Sequence, residues 1–251
     1  MSRLYSQIMR YISLTLILIH LLTACAAPAS TPTPSPLPPL PTPAPRTITF
    51  NTPDGAAIEG ILYGSGNTAV IFSVMGNCKR GWEDMADLVA KNGMMALTYQ
   101  WRGCKPNSVD EVQIQKFLDD TRSAIDFIKA QGVSKIVLVG ASLGGCASAK
   151  LALESDASGL IVIASPPSIS QWGFEIDSAD LNTDIPKLFI TAENDGTVPV
   201  DTTRALYDLA ADPKEWQTYP GSAHGTDLFE TDSKVELQDR ILQFIRSINA
   251  G

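Results

Sequence analysis

Lys135-Ile136-Val137-Leu138-Val139-Gly140-Ala141-Ser142-Leu143-Gly144-Gly145 is the segment on which the reading of this 251-residue chain turns. Its unbroken apolar run predicts a strand buried on both faces. The small residues that follow, Cys146–Glu154, predict a helix. Between the two, Gly140-Ala141-Ser142-Leu143-Gly144 fits the pattern G-x-S-x-G. A serine on so short a strand-to-helix turn has its Oγ pushed clear of the backbone, and the residues two positions away must be small because the chain folds tightly against them. Gly145 lets the helix pack close to the strand.

Outward from this segment, short β-branched runs alternate with longer amphipathic stretches, the signature of a largely parallel sheet covered by helices. Thr47–Asn51 and Ile58–Tyr63 read as an opening antiparallel hairpin around Thr52-Pro53-Asp54-Gly55. Thr68–Val74, Ala96–Gln100, Lys135–Gly140, Gly159–Ala164 and Lys187–Thr191 read as buried strands, with Glu215–Tyr219 another. Helices are expected over Trp82–Lys91, over Val112–Ala130 with Ile114, Phe117, Leu118, Ile125 and Ile128 on one face, and over Lys234–Ile248.

With strand before and helix after, the serine segment resembles the nucleophile elbow of the α/β-hydrolase family, its esterases and dienelactone hydrolases included, and the order of elements resembles that family across Arg46–Gly251. The resemblance implies an α/β-hydrolase fold, a mostly parallel central sheet with helices on both faces. It implies a catalytic triad with Ser142 as nucleophile. Two histidines exist, and His20 lies near the N-terminus in an apolar run. His224, in the loop after Glu215–Tyr219 where the family carries its base, is then the expected general base. Leu188–Pro199 resembles the family's strand followed by D-x-x-V-P, which selects Asp195 as the acid, with Glu193 as its rival. The order Ser, acid, His along the chain agrees. The chemistry needs all three, because a serine hydroxyl attacks only when an imidazole takes its proton, and a carboxylate must hold that ring in the right tautomer.

The resemblance also implies an oxyanion hole. Leu143 N–H is the first donor, and Met75-Gly76-Asn77-Cys78 matches the family's H-G-x loop with Met75 in place of His. Asn77 N–H is the expected second donor, with Cys78 as the alternative. Trp101-Arg102-Gly103-Cys104 resembles a structural loop of the family, with Gln100 where an Asp is common. In the family the strands preceding Cys78 and Cys104 end side by side, which makes a Cys78–Cys104 disulfide possible in an oxidising space. Cys146 reads as a small buried residue. Between Ala164 and Pro186 there is room only for a minimal lid, where Trp172 and Phe174 line a pocket or anchor the loop.

The N-terminus reads separately from the rest. Arg3 and Arg10 precede an apolar run from Tyr11 to Leu22, the pattern of an export signal. At ~1.5 Å per residue such a run spans roughly 18 Å, short of the ~30 Å hydrocarbon core. Leu22-Thr23-Ala24-Cys25 resembles the lipobox of bacterial lipoproteins, which implies cleavage after residue 24, lipidation of Cys25 and a membrane anchor. An ordinary secretory signal cut near Ala24 or Ala27 is the alternative. Residues 25–45 then form a Pro-rich stalk and 46–251 the catalytic domain.

The formal net charge is −8, and loss of Arg3 and Arg10 with the signal would make it more negative. No Lys/Arg cluster offsets this, so nucleic acid is excluded as a partner. A zinc site lacks histidine ligands, and no Gly-rich phosphate loop follows a strand; no cofactor is expected. The expected substrate is a small-molecule or lipid ester. A peptidase, thioesterase or dienelactone-type hydrolase would use the same triad, and a non-catalytic binding module could share the fold.

Overall fold

A computed structural model describes residues 42–78, 80–106 and 108–250. The expected export signal, Cys25 and most of the Pro-rich stretch lie outside the described residues. β1 (Arg46–Asn51) and β2 (Ala57–Gly64) pair antiparallel, with Ile48 and Phe50 buried and their neighbours exposed, as one covered face requires. Their turn closes through Gly55 N–H to the Thr52 carbonyl at 2.9 Å, with Gly55 at φ 86°. β3 (Thr68–Ser73), α1 (Glu83–Lys91) and β4 (Met95–Tyr99) follow. A small antiparallel pair, β5 (Cys104–Lys105) and β6 (Ser108–Val109), leads into α2 (Glu111–Ile114) and α3 (Phe117–Lys129). Next come β7 (Lys135–Ala141), α4 (Leu143–Leu151) and β8 (Gly159–Ile163). A two-stranded hairpin, β9 (Ser168–Ile169) with β10 (Phe174–Glu175), encloses a 3₁₀ turn. The chain ends with β11 (Lys187–Ala192), α5 (Val200–Leu209), β12 (Lys214–Tyr219) and α6 (Lys234–Ala250).

Eight strands form one sheet in the order β1-β2-β4-β3-β7-β8-β11-β12. From β4 to β12 every neighbouring pair is parallel. The strands β3, β4 and β8 are buried at every residue, which is why they read as continuous apolar runs. α1 packs with α6, and α3 packs with α4 on β7 and β8.

Three sequence expectations change. The single helix read over Val112–Ala130 is broken at Gln115–Lys116 into α2 and α3. Asp110 caps α2 by accepting from Gln113 N–H at 3.2 Å, and Val112 stands 73% exposed, off the apolar face. The helix after Ser142 starts three residues earlier than Cys146, because the elbow itself begins it. α5 has no counterpart among the expected helices: only Thr203 and Leu206 of it are buried, a stripe too narrow for periodicity to register.

Candidate active site

β7 delivers Ser142 at its carboxyl end, with φ 52° and ψ −120°, a left-handed backbone that L-residues adopt only under constraint. Ser142 N–H donates to the Ile163 carbonyl at 2.8 Å, and its own carbonyl accepts from Cys146 N–H at 3.0 Å. The glycines of the motif have a visible cause. A methyl group on Gly140 would fall on the Gly144 carbonyl, one on Gly144 would fall on the Ser73 carbonyl, and one on Gly145 would strike Ser165 Oγ. The turn therefore closes only with all three. α4 begins at Leu143, so its first N–H groups, unpaired within the helix, cluster next to the serine.

Asp195 follows β11 and is 4% exposed. Its Oδ1 accepts from Thr197 N–H at 2.8 Å and Val198 N–H at 3.0 Å. Its Oδ2 stands 2.8 Å from His224 Nδ1. A carboxylate only accepts, so Nδ1 carries the hydrogen and the neutral ring keeps its lone pair on Nε2. Backbone bonds tie the two loops together: Glu193 N–H donates to the Tyr219 carbonyl and Asn194 N–H to that of Gly221, both at 2.9 Å. Gly225, at φ 58°, is packed against Met75 and 3.3 Å from Ala141 measured from an added methyl. That contact sets the residue after His224 against the residue before Ser142. Glu193, the rival acid, is exposed and takes no side-chain part.

A pocket of about 530 Å³ opens at Ser142 and Leu143 and runs past Gly76, Ile114, Ile169 and Trp172. The two lid aromatics separate in role. Trp172 lines the pocket, whereas Phe174 is buried edge-on to Phe117 with ring centres 5.2 Å apart. Glu111 is the only charged residue among the described lining residues. Cys146, one turn beyond Ser142, is fully buried with Sγ 3.2 Å from the Pro166 carbonyl, and burial pushes its thiol up to about 12.

Cys78 and Cys104 are joined by a disulfide. Gly76, two residues before Cys78, lies against Leu143: an added methyl would sit 3.2 Å from its Cδ2. Asn77 is exposed at the head of this turn. Arg102 is structural. Its Nε donates to Asp120 Oδ1 and its Nη1 to Asp54 Oδ2, both at 2.6 Å, and its backbone N–H donates to Asp120 Oδ2 at 2.8 Å. Burial raises the Asp120 carboxyl, and Arg102 opposes the rise, while hydrogen bonds from Thr52 and Arg102 hold Asp54 at about 2. Asp180, upstream of β11, pairs with Lys150 at 2.7 Å. Pro166, Ile169 and Val198 also form the pocket wall; of these only Val198, inside D-x-x-V-P, carries a local sequence signal.

The sheet order, the strained serine turn and the position of the site at the carboxyl ends of parallel strands define an α/β-hydrolase fold. Solved structures agree. An esterase domain from Rhodothermus marinus superposes with a TM-score of 0.64 at 16% identity, covering 81% of this chain and 98% of its own. A Pyrococcus furiosus esterase gives 0.65 at 14%, covering 81% and 92%. An α/β serine hydrolase homologue from Coxiella burnetii gives 0.62 at 19%, covering 80% and 96%. In sequence, the uncharacterised protein YfhR of Salmonella typhimurium is 27% identical over 240 residues, 80% of this chain and 81% of that protein. No protein-family model matches the chain.

Proposed function

We propose that this protein is a serine hydrolase that cleaves carboxylic esters through an acyl-serine intermediate on a Ser142–His224–Asp195 triad. The observation that supports this most is the Asp195–His224 hydrogen bond, held at the same sheet edge as the strained turn of Ser142. His224 Nε2 takes the proton from Ser142 Oγ as the oxygen attacks the ester carbonyl carbon. The negative charge that develops on the carbonyl oxygen is met by Leu143 N–H at the start of α4 and by Asn77 N–H. The intermediate collapses, the alkoxide leaves with the proton from His224, and the acyl group stays on Ser142. Water, deprotonated by the same ring, then releases the acid. Asp195 keeps Nδ1 protonated and stabilises the imidazolium, remaining ionised itself.

The apolar pocket wall with the single carboxylate Glu111 favours uncharged esters over acidic ones. The short β9–β10 hairpin leaves the cleft open to substrate. In the same reading the chain is exported, cut before Cys25 and held at a membrane by acyl chains on that residue; palmitate labelling that vanishes in Cys25→Ser tests this part. A fluorophosphonate should label the folded protein at Ser142 alone, and p-nitrophenyl esters should turn over at rates that Ser142→Ala lowers by several orders of magnitude. Thioesters and peptide amides assayed beside them would reassign the leaving group if they prove faster. A folded chain that takes no label is a binding module and not an enzyme.

A further inference from the structure

We infer that the Cys78–Cys104 disulfide is a positioning element for the oxyanion hole, so that breaking it lowers turnover in a chain that stays folded; this rests on the ester-hydrolase reading. The bond is attached directly to the proposed donor, because Asn77 precedes Cys78. The turn that presents Asn77 is closed by Cys78 N–H donating to the Met75 carbonyl at 2.9 Å. The same carbonyl accepts from Trp101 Nε1 at 3.3 Å, so the turn leans on the segment that carries Cys104.

The two partners of the bond are unequally held. On the Cys104 side the backbone is fastened several times. Cys104 N–H donates to the Trp101 carbonyl at 2.9 Å, Asp110 N–H to that of Gly103 at 2.8 Å, and Cys104 pairs with Val109. Gly103 is pressed against Ile114 so closely that a methyl there would lie 2.6 Å from its nitrogen. On the other side Cys78 sits at φ 62°, a left-handed backbone without glycine's freedom. Such a conformation is strained for a residue with a Cβ and persists only where the surroundings impose it. The disulfide imposes it, by tying the strained turn to an anchored loop. Once the bond is cut, Cys78 can relax towards negative φ, and Asn77 and Gly76 shift relative to Leu143, against which Gly76 packs. The spacing of the two donors is what such a shift alters. Misplacement by about 1 Å in a reacting constellation costs up to roughly a hundredfold in rate.

The test uses the full chain, oxidised and then treated with a water-soluble phosphine under native conditions. The phosphine supplies two electrons and ends as its oxide, and two protons from water complete the Cys78 and Cys104 thiols. Intact mass verifies the gain of two hydrogens, and buried Cys146 takes no part. We expect kcat on a short p-nitrophenyl ester to fall by about ten- to a hundredfold, KM to move little, and fluorophosphonate labelling of Ser142 to slow by the same factor. Circular dichroism and a melting temperature above that of the assay should show the fold retained, while amide hydrogen exchange quickens in the peptide spanning 74–78. Cys78→Ser/Cys104→Ser should reproduce these values; if it fails to fold, the reduced wild-type chain carries the test. Unchanged kcat in fully reduced, folded protein overturns the inference alone. An oxidised chain that neither turns over esters nor takes the label overturns the hydrolase reading and this inference with it.

Discussion

At the carboxyl edge of the sheet, β7 runs into Ser142 at φ 52°, β8 into Ala164 at φ 48°, and the turn after β3 reaches Cys78 at φ 62°. At the amino edge, the first residues of three strands are fastened by side chains. Thr68 Oγ1 donates to Asn249 Oδ1 at 2.6 Å, and Lys135 Nζ donates to the carbonyls of Ile248 at 2.8 Å and Asn249 at 3.3 Å. Lys187, wholly buried, donates to the carbonyls of Thr183, Ile185 and Ala211 at 2.5, 2.9 and 3.1 Å. Three of the four described non-glycine residues at positive φ lie at the carboxyl edge, Asp156 before β8 being the fourth, and the amino edge is held by side-chain hydrogen bonds. A parallel sheet makes this division available, because all its strands point their carboxyl ends the same way and the loops there converge on one crevice. Strain at that edge is tolerated because the buried strands and the amino-edge bonds hold it. Mutations at the two edges should therefore separate stability from chemistry.

The largest separation should come from Ser142→Gly. It removes the nucleophile, and kcat should fall by about six orders of magnitude. Elsewhere a change to glycine destabilises by about 0.5–1 kcal/mol through chain entropy. Here relief of the left-handed strain, worth about 1–3 kcal/mol, outweighs that loss. Thermal melting should therefore show Ser142→Gly more stable than Ser142→Ala, which keeps the Cβ and its strain. If the glycine variant melts lower than the alanine variant, the carboxyl edge is not strained in the sense described.

The reverse separation is expected from Lys187→Met. Methionine fills the volume but leaves three carbonyls, on half-buried residues, without their donor, at about 1 kcal/mol each. The resulting loss of roughly 3 kcal/mol corresponds to about 6–12 °C in melting temperature for a domain of this size. Ester turnover well below the transition should be unchanged, since Lys187 opens β11 at the end opposite Asp195. A fall in kcat without a fall in melting temperature would mean that the two edges are coupled.

The carboxyl edge was the more legible of the two from residues alone, and the reason is locality. The serine turn needs small residues at fixed offsets, so Gly140, Gly144 and Gly145 announce it within a few positions. Asp195 sits in a compact strand-plus-turn signature, and His224 stood out because the other histidine lies in the N-terminal apolar run. Lys187 carries no such mark. Its partners come from residues 183, 185 and 211, the last set by a loop on the far side of α5, and a charged residue opening a strand predicts exposure rather than burial. The lid is intermediate. Its length was legible, but the split between Trp172 on the pocket and Phe174 in the core depends on the β9–β10 register, since both rings pack against Phe117 of α3. The break between α2 and α3 likewise falls beside a tertiary contact, where Gly103 packs against the backbone of Ile114.

The smallest expected effect concerns how far the openness of the carboxyl edge extends inward. Cys146 borders the pocket yet is fully buried, and burial pushes its thiol up from 9.0 to about 12. A thiol held protonated by the fold contributes stability that is fully present below pH 9.0 and lost as the pH rises through about 12. Across that window the unfolded chain ionises its thiol while the folded one resists, so the folded state weakens gradually with pH. At pH 8 the thiolate, which is the nucleophile towards iodoacetamide, is then scarce, and access is closed as well. Peptide mass mapping after alkylation at pH 8 should find Cys146 unmodified in native protein and fully modified once denaturant is added. Rapid modification of the native chain, faster than unfolding, would mean that solvent reaches one helical turn beneath Ser142. The dry floor under the serine, and with it the sharp boundary between the open edge and the packed interior, would then have to be abandoned.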